Sequence, residues 1–246
     1  MMIAYVVVTL TAQGSWAGGH MKTKQSGFTL VEIAIVLVII GLLLGGILKG
    51  QEMITQAKIK NLISDFSGVS VAYHGYVDRY RKIPGDDGDA FGRWGAPLPN
   101  APAAGGAFND GTIAGGYASV TPNDESRLFW LHLRKAGFIS GSDQEQPFNA
   151  VAGKLGVQTG DAAAVPGAAL SGAGAGAGGF TSIIICSANL PDKMAIAVDT
   201  QMDDGQSATG TVRAMLNAAP NPAIVGAPQP TYAETGSNNY TLCRAL

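Results

Sequence analysis

The pattern of hydrophobic and polar positions changes character twice along this chain. From residue 28 to residue 48 the sequence is apolar on every face, 21 residues interrupted by one charge, Glu32. A helix of that length rises roughly 31 Å, enough to cross a bilayer core of roughly 30 Å. The run is too long for the apolar part of a secretory signal peptide, which has about 7–15 residues. From Ile59 the pattern becomes one-sided. Ile59, Leu62, Ile63, Phe66, Val69, Tyr73, Tyr76, Val77 and Tyr80 recur in steps of three and four, and Lys60, Asp65, Asp78 and Arg79 take the other face. This is the period of an amphipathic helix. Together the stretches predict one helix from about Thr29 to about Arg81, roughly 80 Å long. Residues 28–48 would form its membrane-spanning half, and residues 49–82 its amphipathic continuation. Ile83-Pro84-Gly85 ends it, because proline lacks a backbone donor and disfavours helix in the residue before it.

Residues 83–246 then read as a globular head. Residues 85–116, with Asp86-Asp87-Gly88-Asp89, are rich in Pro and Gly and predict a long loop. A short second helix is expected to start with Thr121 as N-cap, Pro122 in the first turn and Asp124 beside them. Leu128, Phe129, Leu131 and Leu133 supply its apolar surface, Arg134 and Lys135 its last turn, and Gly137 its C-terminal cap. Residues 160–179 are of low complexity. Their GxGxxG-like spacing is followed by a strand-like run rather than a helix, which argues against a dinucleotide site. Thr181-Ser182-Ile183-Ile184-Ile185-Cys186 and Met194-Ala195-Ile196-Ala197-Val198 flank a turn and predict an antiparallel strand pair. Weaker strand signals lie at 211–215 and 240–243. The expected fold class is α+β, a long N-terminal helix packed on a small antiparallel sheet with long Gly-rich loops.

Composition narrows the chemistry. Charged residues are 14% of the chain, the formal net charge is −2, and 34 residues are glycine. No dense Lys/Arg patch interrupts the sequence, so nucleic acid is not an expected partner. Neither of the two cysteines, Cys186 and Cys243, has a second Cys or a His at metal-ligand spacing. They are either a disulfide or two separate buried thiols; a disulfide would contribute roughly 4 kcal/mol by loop closure. Asp199, Asp203 and Asp204, followed by Gly205, offer the oxygen donors Ca²⁺ takes. Their spacing is not that of an EF-hand, and a turn that favours Asp and Gly for backbone reasons is the alternative. The same choice holds for Asp86, Asp87 and Asp89. His20, His74 and His132 stand in no GxSxG, HExxH or phosphate-loop signature, and the chain is not expected to be an enzyme. Trp94 and Trp130 are read as packing residues.

Glu32 requires a reason. A charge deep in hydrocarbon costs roughly 2.5–3.5 kcal/mol. A carboxylate in the first turn recovers about 0.3–1 kcal/mol from the helix dipole, but that leaves the residues before it unexplained. The short basic run Met21-Lys22-Thr23-Lys24-Gln25-Ser26-Gly27, followed by Phe28-Thr29-Leu30-Val31-Glu32, resembles the prepilin leader and N-terminal helix of the type IV pilins and of the pseudopilins of type II secretion. Gly41 fits the same pattern. Lys49 stands where many pilins carry a proline, so a kink at that point is not expected. The specific resemblance covers about residues 22–48; the rest is architectural.

The resemblance implies a chain of events. A prepilin peptidase cuts after Gly27, and Phe28 becomes the N-methylated N-terminus. Glu32, now the fifth residue, faces the terminal amine of a neighbouring subunit's Phe28, and the pairing sets subunit register. The implied partners are other pilin or pseudopilin subunits, the peptidase, the inner-membrane assembly machinery and membrane lipid. The precursor would sit in a bacterial inner membrane with its N-terminus cytoplasmic and its head periplasmic, before joining a periplasmic or extracellular filament. In that compartment Cys186 and Cys243 are expected to pair, and some pseudopilins hold Ca²⁺ in a C-terminal loop. Residues 1–27 are then leader, with 1–20 expected to be an overcalled start and 21–27 the true leader. The competing reading is a monomeric membrane-anchored binding or adhesion module, in which Glu32 has no part in assembly.

Overall fold

The computed structural model describes residues 29–96, 98–103, 106–160, 180–217, 219–222 and 229–246. The leader, Gly27, Phe28 and the Gly-rich residues 161–179 lie outside the described residues. The chain divides into two compact units between Leu48 and Lys49. Helix α1, Leu30–Tyr80, supplies nearly all the described part of the first and opens the second. In the first unit every residue from Thr29 to Leu48 is exposed. The helix is long and apolar enough to cross a membrane, with a mean hydropathy of 2.8 over its most apolar window.

The second unit is organised around one stripe of α1. Ile59, Leu62, Phe66, Val69, Ala72 and Tyr76 are buried, at the spacings that keep side chains on one helix face. Each large side chain among them contributes about 1.5–3 kcal/mol by leaving water. They share a core with Phe129, Trp130 and Leu133 of α3 (Glu125–Lys135) and with one face of a four-stranded sheet. Its strands are β1 (Leu155–Thr159), β2 (Ile183–Pro191), β3 (Val212–Leu216) and β4 (Asn239–Ala245), in the order β1-β2-β4-β3 with every neighbour antiparallel. The two-residue alternation of strands sorts their side chains. Ile183 and Ile185 of β2 and Tyr240 and Leu242 of β4 face the helices. Ile184, Cys186 and Cys243 face the other way, where Tyr117, Ala118 and Phe180 cover them. A side chain at Gly156 would strike the Tyr117 carbonyl, so only glycine lets this cover close on β1.

Several sequence expectations change here. Met194-Ala195-Ile196-Ala197-Val198 is not a strand but part of helix α4, Asp192–Met202. Its buried residues Ala195, Val198 and Asp199 follow the helical three-and-four step. The partners of β2 are β1, which was not anticipated, and the C-terminal β4. The second helix begins at Glu125 rather than near Thr121. Asn123 is left-handed (φ 67°) and blocks an earlier start, and the Asp124 carbonyl accepts the first helical N–H groups, from Arg127 and Leu128 at 2.9 Å. Gly137, with φ 81°, closes the helix as expected. The loop after α1 contains a short helix α2, Ala90–Trp94.

The Asp86-Asp87-Gly88-Asp89 acids part company. Asp87 is buried and accepts the Tyr76 hydroxyl at 2.6 Å and the Arg93 guanidinium. Arg93 lies over the rings of Tyr80 and Trp94, at 4.8 and 5.0 Å from their centroids. Trp94 is thus a packing residue of the α1–α2 junction. Asp89 is exposed beside Lys82 at 3.9 Å. Asp86 turns toward the 109–111 segment, accepting N–H groups of Asp110 and Gly111. His132 is buried on α3, and its Nδ1 accepts the Gly85 N–H at 2.9 Å, whereas His74 is exposed beside Tyr73.

Two outcomes are expected of the full-length chain in detergent micelles. Asp87→Ala strands a buried hydroxyl and a guanidinium and lowers unfolding stability by about 2–4 kcal/mol, against about 1 kcal/mol for Tyr76→Phe. Denaturant titration followed by circular dichroism checks the order. Burial holds His132 down at about 4, from an ordinary 6.5. The unfolded chain therefore binds more protons between those values, and stability present above pH 6.5 is lost as pH falls through about 4. His132→Gln should flatten that acid limb in thermal unfolding measured from pH 7.5 to about 4.

Candidate assembly site at the start of the first helix

Glu32 lies in the first turn of α1 and is its only charge before Lys49. The turn is locked from both sides. The Glu32 carboxylate accepts the Thr29 N–H and the Thr29 hydroxyl, each at 2.8 Å, while the Thr29 hydroxyl oxygen accepts the Glu32 N–H at 3.3 Å. This reciprocal arrangement is a capping box, which satisfies helix N–H groups that have no carbonyl one turn back. Both bonds to the carboxylate fall on Oε2. Among the described residues Oε1 has no partner. The helix therefore fixes the direction of the acid and leaves one oxygen available. Thr29 is the site residue that the sequence reading missed. Its signal was legible: a threonine three residues before a glutamate at a helix start.

The surroundings of Glu32 are apolar. Leu30, Val31, Ile33, Ile35 and Val36 are all exposed. A Cβ added at Gly41, Gly45 or Gly46 would meet nothing within 4 Å, so packing among the described residues does not require glycine at these positions. Gly27 and Phe28, expected to flank the cleavage point, lie outside the described residues.

Cys186 and Cys243 are joined by a disulfide. They are directly opposed in the β2–β4 ladder, with Cα atoms 4.0 Å apart, the close approach typical of a non-hydrogen-bonded antiparallel pair.

The acids Asp199, Asp203 and Asp204 each bring an oxygen within 4.8 Å of the others. Asp199 lies in α4 and Asp203 and Asp204 follow its C-terminal end, so the group comes after a helix rather than after the expected strand. Asp199 is buried inside α4, and its Oδ2 accepts the Tyr232 hydroxyl at 2.6 Å. Burial pushes its carboxyl up to about 6. Asp203 follows the helix end and accepts the N–H groups of Thr211 and Val212, tying α4 to the start of β3. Asp204 is exposed and accepts the Gln206 N–H and the Thr209 hydroxyl. The donor set is of the kind Ca²⁺ takes, and Asp199 Oδ1 is buried without a hydrogen-bond partner. Asp203 thus connects α4 to β3, while Asp204 braces the loop between them.

No curated protein matches the chain. Residues 22–48 match the family model of the prokaryotic N-terminal methylation motif, the prepilin-type signature of type IV pilins and pseudopilins. That signature, with the long N-terminal helix and small four-stranded antiparallel sheet, supports a type IV pilin-like or pseudopilin protein.

Proposed function

We propose that this chain is a structural subunit of a type IV pilus-like filament, made as a membrane-inserted precursor. A prepilin peptidase removes the leader after Gly27, and Phe28 becomes the methylated N-terminus. The observation that carries this reading is the state of Glu32. One carboxylate oxygen is held by Thr29 and the other has no partner among the described residues, on a helix whose surroundings are apolar. In a bundle of such helices an unpaired acid is costly, and a neighbour's terminal ammonium at Phe28 is the group of matching charge at matching depth. The pairing gives the subunits an axial stagger. Gly41 and Gly45, one helical turn apart, leave room for the close helix approach that small residues allow in apolar surroundings.

In this reading the protein performs no turnover. It is a substrate of the peptidase, and its chemistry is packing plus one ion pair. The head, with its disulfide, faces the periplasm and then the filament exterior. Pilin and pseudopilin roles share this mechanism.

Glu32→Ala should leave cleavage intact and reduce recovery of the subunit in sheared filaments at least about tenfold, since it removes a buried charge partner worth roughly 3–5 kcal/mol. N-terminal sequencing of the mature wild-type chain should begin at N-methylated Phe28. An uncut chain would sink the processing step. Normal incorporation of the Glu32→Ala chain would favour the membrane-anchored monomer instead.

A further inference from the structure

We infer that the head carries a Ca²⁺ site built from Asp86, Asp110 and Glu125, apart from the Asp199 group and independent of how the first helix assembles. The three residues come from separate places: the segment after α1, the turn at 109–111, and the first residue of α3. The fold brings an oxygen from each to within 4.8 Å of the others. That spacing is on the scale of the separation between oxygens around one Ca²⁺, whose Ca–O distance is roughly 2.4 Å.

A second observation points to a ligand. Glu125 is 0% exposed. Its Oε2 accepts the Ala114 N–H at 2.7 Å, but its Oε1 is buried with no hydrogen-bond partner. Asp86 is also buried, at 2% exposure. Two buried carboxylates and a third beside them ordinarily need a counter-charge. None of the three has a Lys, Arg or His within ion-pair distance among the described residues. The N–H groups of Asp110, Gly111 and Ala114 hold these oxygens but carry no net charge. Lys82 is engaged with Asn109 at 2.7 Å and with Asp89.

An all-oxygen, carboxylate-rich set suits a hard divalent ion, and three protein ligands leave positions for water. Asp110 is exposed, which gives the ion an entry path. Once bound, Ca²⁺ would tie the loop after α1 to the start of α3, adding to the apolar packing and hydrogen bonds that already join them.

The test uses the full chain in detergent micelles, stripped with EDTA and then titrated with CaCl₂ or MgCl₂. Thermal unfolding should rise by about 5–10 °C at Ca²⁺ a hundredfold above its dissociation constant, with a much smaller response to Mg²⁺. Asp110→Asn, at an exposed position where the fold tolerates the change, should abolish most of the shift. Asp204→Asn, in the other acidic group, should keep it. Equilibrium dialysis with radioactive Ca²⁺ should show one ion fewer per chain in Asp110→Asn alone. The proposal is overturned if wild type shows no shift up to about 10 mM Ca²⁺, well above the weakest known extracellular modules. It is equally overturned if Mg²⁺ acts as strongly as Ca²⁺, or if Asp204→Asn rather than Asp110→Asn removes the response.

Discussion

Six buried side chains on one face of α1, from Ile59 to Tyr76, hold the head together. An isolated helix draws little stability from its own hydrogen bonds, and most of its persistence comes from burying a stripe. Here the stripe is also the floor of the core. The helix-facing side chains of β2 and β4 and the apolar face of α3 pack into that same core, together with Ala195 and Val198 of α4. The sheet has four strands and a second face closed by little more than a loop, so it could not bury both faces without the helix. The first half of α1 obeys a different rule. Among the described residues none from Thr29 to Leu48 is buried, and the sequence there is uniform around the helix rather than striped.

Polar groups inside the head are arranged with similar economy. Asp87 gathers a hydroxyl and a guanidinium at the junction of α1 and α2, and aromatic rings close over the guanidinium. Asp203 ties the end of α4 to the strand that follows it. Arg127 and Arg134 of α3 reach across to Glu145 and Asp143, fastening the loop beyond the helix. In each case a charged side chain acts as a local clamp between consecutive elements. Glu125 departs from this pattern, being a buried acid with one oxygen unengaged.

The legible and illegible parts of this structure divide along physical lines. The long helix was readable because an apolar run of spanning length leads directly into a stretch of three-and-four period; Leu30–Tyr80 departs from the expected ends by a residue. The α+β class followed from that helix and the β-branched run at Ile183-Ile184-Ile185. Residues 194–198 were misread because a five-residue apolar run has no period of its own. The helix is declared by Asp192 at its start and by spacing that reaches Asp199. Strand β1 was hidden because Leu-Gly-Val-Gln-Thr contains a glycine required by tertiary contact with Tyr117, which no local propensity encodes. The start of α3 was placed too early because Thr-Pro imitates a cap, and only Asn123's left-handed backbone breaks it. At the helix start, the cost of a lone acid in an apolar run singles out Glu32, and spacing singles out Thr29. The grouping of Asp86 with Asp110 and Glu125 was not, because it needs three segments to be brought together by the fold.

The disulfide between β2 and β4 has a mechanical consequence. It joins the two central strands of the sheet and closes a segment of 57 residues containing α4 and β3. Chain inside a covalent loop cannot lengthen when its ends are drawn apart. At about 3.5 Å per residue, roughly 200 Å of potential extension is withheld from any force that tries to unravel the head. The C-terminal strand likewise cannot be peeled from the middle of the sheet. Under tension the head would lose the segments outside the loop first and keep its central pair of strands as a closed knot.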